Sequence, residues 1–454
     1  MKAPTLWIDV TELFGQFALS SHPTGISRVM INLVDALAAD PGVLFEKVRP
    51  IFWHPVWRLP LAFDYTVHRD LAAFFPSLRN SYAESGWEVP RIRSGLRKGI
   101  MTSVPKPFRF RLFPYLHGVT HFLGWARHAG IGVHPVAFSR NDRLFVPGSF
   151  WLDGYAPRLA AHAKSNGATV GVFVHDVLLL SNPEWLAPGH AQQFRRGVEA
   201  FLPHCSVVAC NSTHTRNELR NHVSLPASLP IEVCRLADAR IVPPATQMPR
   251  EVADLSGRHF ALFVSTLTPR KNHRLLVDAW LQLHDILGAQ TPALVFVGGG
   301  APDAALGEVL ARAAKRGVPV IRLDGVDDAA LETLYDNAWI TLYPSLGEGY
   351  GMPVAEALAR GKVCLATQCG GLADVAPDLI DAIDPQNPNI LVERIVSYHK
   401  DPKRLAAREA EVRARYHATQ WADTARCVRL LLEQEIPEEN VRFAARRANK
   451  SGGG

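Results

Sequence analysis

The stretch Ser345–Ala359, S-L-G-E-G-Y-G-M-P-V-A-E-A-L-A, carries the residues best suited to chemistry. Glu348 and Glu356 are separated by seven residues, and glycines stand at 347, 349 and 351. Glycine permits close backbone approach and positive φ, and Pro353 suits the first turn of a helix. Backbone N–H groups at a glycine-rich helix N-terminus form an anion site. Carboxylates accept hydrogen bonds from hydroxyls. Two carboxylates beside an anion site therefore suit a sugar, a ribose and a diphosphate. The plainer reading is a strand–turn–helix with one capping and one solvated glutamate.

Three further segments carry compatible chemistry. Ser265–Asn272, S-T-L-T-P-R-K-N, sets Arg270 and Lys271 on a strand-to-helix turn, where adjacent cations can neutralise a leaving diphosphate or simply open a helix in solvent. His175-Asp176 follows the apolar run Thr169–Val174, at the strand end where α/β sheets bind ligands. His175 can bond a sugar hydroxyl through either ring nitrogen, and Asp176 can orient a ring or an acceptor. On its own this pair reads equally as structural. Thr24-Gly25-Ile26-Ser27-Arg28 supplies a glycine that leaves room for backbone approach to a ligand, with Arg28 either a phosphate or acceptor contact or a surface residue of the first turn. Gly370-Gly371 either lines the nucleotide end of the cleft or makes an ordinary turn.

These segments need strands to deliver them and helices to receive them. Thr5–Val10 reads as a strand, followed by a loop to Gly25 and a helix over Ile26–Ala39, whose apolar residues recur at spacings of three and one. Strands are predicted at Arg143–Val146, Thr169–Val174, Ser206–Ala209 and Pro230–Arg235. A second series has strands at Phe260–Ser265, Ala293–Val297, Val318–Leu323, Trp339–Tyr343 and Lys362–Thr367. Its helices are predicted at His273–Leu287, Asp303–Arg316, Ala329–Asn337 and Pro353–Arg360, and the stretch Asn389–Glu435 is mostly helical. Short continuous apolar runs suit strands buried on both faces of a parallel sheet. The class is α/β, with two doubly wound Rossmann-like domains facing across a cleft. The expected bounds are 1–240 with an insertion at about 52–141, a linker at 241–258, a second domain at 259–436 and a tail at 437–454.

The run E-G-Y-G-M-P-V-A-E resembles the E-x7-E motif of glycosyltransferase family 4, retaining enzymes of the GT-B fold. The resemblance spreads over residues 1–30, 143–240 and 258–435. It implies that Glu348 contacts the transferred sugar, that Glu356 binds the nucleotide ribose, and that the backbone of Gly349, Tyr350 and Gly351 lies near sugar and phosphates. It places Lys271 on the family's diphosphate lysine. The usual arginine position holds Thr266, with Arg270 as its substitute. It sets His175 beside the donor sugar and Gly25 beside the diphosphate and acceptor, with Arg28 and Asp176 on the acceptor side. The implied reaction moves a hexose from a nucleotide diphosphate sugar to a saccharide or lipid-linked saccharide, for a bacterial surface polysaccharide. GDP-mannose is the implied donor, since P-R-K-N segments occur among mannosyltransferases. Neither cofactor nor metal is expected: the chain has no Asp-x-Asp and no zinc spacing. G-x-G-x-x-G and Walker A sequences are likewise missing. Other readings are a GT-B-like epimerase or phosphorylase, a catalytically inactive nucleotide-binding protein, and a membrane-surface adaptor.

The composition fits this class. The chain has 454 residues, 47% hydrophobic and 20% charged, enough for two or three domains and too apolar for disorder. No apolar run is long enough for a transmembrane helix, and the first residues do not read as a signal peptide. The protein is expected in the cytoplasm or on the inner face of the membrane. Its six scattered cysteines are expected to be reduced thiols. The net charge of +6 is local: Val89–Asn141 has no acid, and holds Arg91, Arg93, Arg97, Lys98, Lys106, Arg109, Arg111, Arg127 and Arg140. Between Pro105 and Arg127 basic and aromatic residues alternate, which suits either an anionic membrane surface or an insertion packed on the first domain with a solvated basic face. No nucleic-acid-binding motif accompanies it.

Overall fold

The computed structural model describes residues 4–19, 25–65, 70–84, 106–152, 154–185, 189–238, 250–254 and 258–434. The expected tail, most of the linker, Thr24, and the basic residues Arg91, Arg93, Arg97 and Lys98 lie outside them, as do the side chains of Lys106, Arg109 and Arg111.

Two sheets organise the chain. The first has eight strands: β1 (Thr5–Asp9), β2 (Lys47–His54), β3 (Leu59–Phe63), β4 (Val133–Pro135), β5 (Arg143–Val146), β6 (Thr169–Val174), β7 (Val207–Cys210) and β8 (Ile231–Val233). Their order is β4-β3-β2-β1-β5-β6-β7-β8. Strands β2, β1, β5, β6, β7 and β8 run parallel, and β3 and β4 add an antiparallel edge. The second sheet is wholly parallel, in the order β11-β10-β9-β12-β13-β14. Its strands are β9 (Phe260–Val264), β10 (Ala293–Val297), β11 (Val320–Leu323), β12 (Ile340–Tyr343), β13 (Cys364–Ala366) and β14 (Ile380–Ala382). Strands β1, β10 and β12 are buried along their whole length, and β6 in all but Thr169, as continuous apolar runs require. This is the GT-B architecture: two Rossmann-like units with the carboxyl ends of their parallel strands facing one another.

Several expectations change. The loop after β1 contains a helix, Thr11–Leu19, whose Leu13, Phe14 and Phe17 are fully buried; Gly15 and the short length hide that stripe in the sequence. The segment between Ile51 and Asn141 is built into the first unit, since β3 and β4 extend its sheet. Within it the helix Lys106–His128 buries Tyr115, Val119, Phe122 and Ala126 against Phe14, Phe52, Phe63 and Phe74. Tyr115 and Phe122 are therefore core residues, and the side chains of Phe108, Phe110 and Phe113 lie outside the described residues. No described helix is long and apolar enough to cross a membrane.

The helical stretch after β14 divides into Pro388–Lys400, Pro402–Arg415 and Trp421–Glu433. The last of these leaves the second unit and packs on the helix Ile26–Ala39 and on β7 of the first. Arg143 Nε donates to Leu432 O (3.3 Å), and Thr424 Oγ1 donates to Arg235 O (2.7 Å). Asp238 anchors the crossing, accepting from Thr419 N (2.9 Å) and Tyr416 OH (2.7 Å). The same return brings together Cys234 and Cys427, 193 residues apart, as a disulfide. The expectation of six free thiols fails for this pair. A contact made by a returning helix leaves no trace in cysteine spacing.

Candidate functional site

β12 delivers the chain to the loop holding Glu348, and the helix Met352–Ala359 carries Glu356 one turn in, with Pro353 in its first turn. β9 delivers Arg270 and Lys271 beside it. Glu348 is 7% exposed. Its Oε1 accepts from Lys271 Nζ at 2.6 Å and lies 2.8 Å from Arg270 Nη1. Lys271 Nζ also donates to Tyr343 OH (2.8 Å), and Arg270 Nη1 to Gly347 O (2.5 Å). Burial pushes the Glu348 carboxyl up, but the two cations and their bonds outweigh it and hold the group below its ordinary range. Burial presses the Lys271 ammonium down, against the pull of Glu348. The result is one carboxylate held between two cations.

Glu356, 4% exposed, takes a hydrogen bond from Tyr335 OH to Oε2 (2.9 Å). Across from it stands Arg28, in the first turn of the helix Ile26–Ala39. Arg28 Nη2 lies 2.5 Å from Asp328 Oδ1, and Nη1 lies 4.0 Å from Glu356 Oε1. The two units are thus tied by a charge contact at the carboxylate expected to hold a ribose. Gly25 caps this helix at φ 48°, ψ −115°, a conformation for glycine alone. A Cβ there would meet no other atom of the chain within 4 Å, so within the fold it is the turn that requires the glycine.

His175 is 6% exposed and stacks obliquely on Phe173. Its Nε2 faces Pro147 O at 2.7 Å, which makes Nε2–H the donor and leaves Nδ1 as an acceptor. Either nitrogen was open from the sequence; the fold commits one. Burial lowers the ring's pKa to about 4, so it is neutral at pH 7. Asp176 is half-buried, and its Oδ1 accepts from Leu178 N (3.2 Å). Burial raises its carboxyl, with Arg270 of the other unit opposing.

The two halves meet at the glycine loop. Ser212 Oγ donates to Gly349 O (2.5 Å), as does Thr215 Oγ1 (3.2 Å). A Cβ on Gly349 would lie 2.3 Å from His175 O and 2.7 Å from Asp176 Cβ. Gly371 lies under the same loop: its N donates to Glu348 O (2.8 Å). The fold therefore gathers Glu348, Lys271, Arg270, the Gly349–Gly351 backbone, His175 and Asp176 at one junction, with Glu356, Arg28 and Gly25 along the same interface. Tyr350 turns away. Its ring is buried, and its OH donates to Leu236 O (3.1 Å), so only its backbone faces the loop's ligand side. Sequence reasoning missed Tyr335, Tyr343, Asp328, Ser212 and Thr215. The one available signal is that a tyrosine in a buried helical stripe, as Tyr335 is beside Leu331 and Leu334, needs a partner for its hydroxyl.

Residues 246–446 match the family model Glycosyl transferases group 1. The chain is 24% identical over 236 residues to O-antigen chain mannosyltransferase B of Escherichia coli, covering 50% of this chain and 60% of that protein. It spans less than a third of the longer serotype-specific mannosyltransferases of the same organism. Among solved structures, sucrose-phosphate synthase from Thermosynechococcus elongatus superposes with a TM-score of 0.59 at 17% identity, over 95% of this chain and 99% of that one. Anabaena HepE, solved with UDP and glucose, gives 0.54 at 14% identity over the whole of both chains. These likenesses fix the fold as GT-B.

Proposed function

Taking residues 246–446 as a glycosyl transferases group 1 domain, we propose that the chain is a retaining hexosyltransferase. It moves mannose from GDP-mannose to a saccharide or lipid-linked saccharide acceptor of a surface polysaccharide. The observation that carries the reading is Glu348 clamped between Lys271 and Arg270, in contact range of the His175–Asp176 turn of the opposite unit. The mannosyl and O-antigen assignments rest on a relative of that printed name.

In this reading Lys271 and Arg270 neutralise the diphosphate as the bond to the sugar breaks. Glu348 and the N–H groups of the glycine loop hold the sugar. Glu356, oriented by Tyr335, accepts from the ribose hydroxyls, and Arg28 yields that carboxylate when a nucleotide enters. The acceptor hydroxyl attacks on the leaving-group face and passes its proton to the departing phosphate. His175 Nδ1 accepts from a sugar hydroxyl; a neutral imidazole does not donate there. Accordingly, kcat/KM is expected to show no limb near pH 6.5 that His175→Asn removes; such a limb would assign the ring a proton-transfer role instead.

The deciding experiment is thermal unfolding with a panel of nucleoside diphosphates, for wild type and Lys271→Ala. A nucleotide at a hundred times its Kd adds about 2.7 kcal/mol, a shift of roughly 5–10 °C for domains of this size. One nucleotide is expected to shift wild type and not the variant, read as the nucleotide-dependent change so that a lower starting Tm does not matter. Equal shifts in both proteins, or none in either, overturn the diphosphate assignment.

A further inference from the structure

The β2–β3 hairpin, residues Pro55–Arg58, presents an indole to solvent. Trp57 is 59% exposed, yet it is fixed in place. It stacks flat on the buried His54 ring, with centroids 4.1 Å apart and planes at 15°, and the backbone N–H of Trp57 donates to His54 Nδ1 (3.0 Å). Arg58 N donates to His54 O (2.8 Å), closing the turn with Arg58 itself at φ 53°. One face of the indole is thus backed by an aromatic ring and the other is open. A large rigid aromatic surface of this kind binds with little loss of conformational entropy.

The sheet register says where this platform lies. Asp9 pairs with Ile51, Ile8 with Phe145, and Val146 with Val172. Asp9, Ile51, Val146 and Val172 therefore share a level. Three residues further on, β2 ends at His54 and β6 leads to His175. The two histidines stand at one height above the carboxyl edge, three strand spacings apart, about 14 Å. Between them lie the ends of β1 and β5, including Thr11 and Ser149, whose N–H donates to Glu12 Oε2 (2.8 Å). A short oligosaccharide spans that distance; a single ring does not.

We propose that Trp57 is a remote acceptor subsite, stacking the apolar C–H face of a pyranose ring in a neutral oligosaccharide whose reacting end lies at His175. The inference rests on the transferase reading for what happens at that end, but the binding itself does not. The test is titration of wild type, Trp57→Ala and Trp57→Phe with disaccharides and pentasaccharides of mannose, glucose and galactose, by saturation-transfer NMR without nucleotide. At least one pentasaccharide is expected to bind wild type about tenfold tighter than its disaccharide. Trp57→Ala removes that gain, and Trp57→Phe keeps most of it. No length-dependent gain in wild type, or a gain that survives Trp57→Ala, overturns the subsite. Sugar transfer from nucleotide sugars is measured separately. Length-dependent binding without transfer sinks the transferase reading alone, and transfer with equal affinity for short and long acceptors sinks the subsite alone.

Discussion

Replacing Glu348 with Gln is expected to lower kcat by about 10²–10³, while nucleoside diphosphate affinity stays level or tightens. The carboxylate contacts two cations at once, Lys271 and Arg270. Removing its charge leaves both free for a diphosphate, so the loss falls on the sugar's transition state and not on nucleotide binding. It also leaves the buried Lys271 with less compensation, and stripping one partner from a buried pair is costly. The apo protein should therefore melt earlier and gain more from added nucleotide than wild type does. Steady-state kinetics at saturating donor, with calorimetric nucleotide titration, separate the two effects. A nucleotide affinity that falls in step with kcat would place Glu348 on the nucleotide and not on the sugar.

Gly349→Ala is the second large effect. The added Cβ would sit 2.3 Å from His175 O, a backbone atom of the opposite unit. The clash cannot be relieved by a rotamer, so the two units must part or the loop must shift. We expect kcat/KM to fall by 10² or more, the order lost when a small misplacement disturbs reacting groups. Nucleotide affinity should change little, because Lys271, Arg270 and Glu356 belong to one unit. Gly299→Ala is the matched control, since a Cβ there meets nothing within 4 Å. Full activity in Gly349→Ala would mean that the contact between glycine loop and His175 is dispensable for turnover.

Much of this site was legible because its signals are local. Strand, glycine turn and helix around Glu348 and Glu356 follow one another between Ile340 and Ala359, and the turn chemistry alone puts both carboxylates near an anion site. The strand before His175 was bounded correctly, since β6 is a continuous apolar run ending in two polar residues. The illegible parts are those set by residues far apart. Nothing near Arg28 indicates that it reaches Asp328, 300 positions away. Nothing near Tyr335 indicates Glu356 as its partner, and the crowding of Gly349 comes from a backbone carbonyl of the other unit. His175 illustrates the division: its place was readable, but the nitrogen it keeps free depends on Pro147 O, set by the neighbouring strand β5.

The return of the helix Trp421–Glu433 to the first sheet has a consequence for taking the molecule apart. The chain crosses between units twice, once after β8 and once near Thr419. A single cut in the linker would strip the first unit of a helix whose Leu432 presses on Gly171 of β6, and expose that face to water. It would also burden the second unit with an orphan amphipathic helix. Chimeras that exchange the second unit between two such proteins therefore need two junctions, with the final helix inherited from the parent that supplies the first unit, or from neither if it is redesigned to fit. Exchanges made at the linker alone should fail by misfolding before specificity can be read.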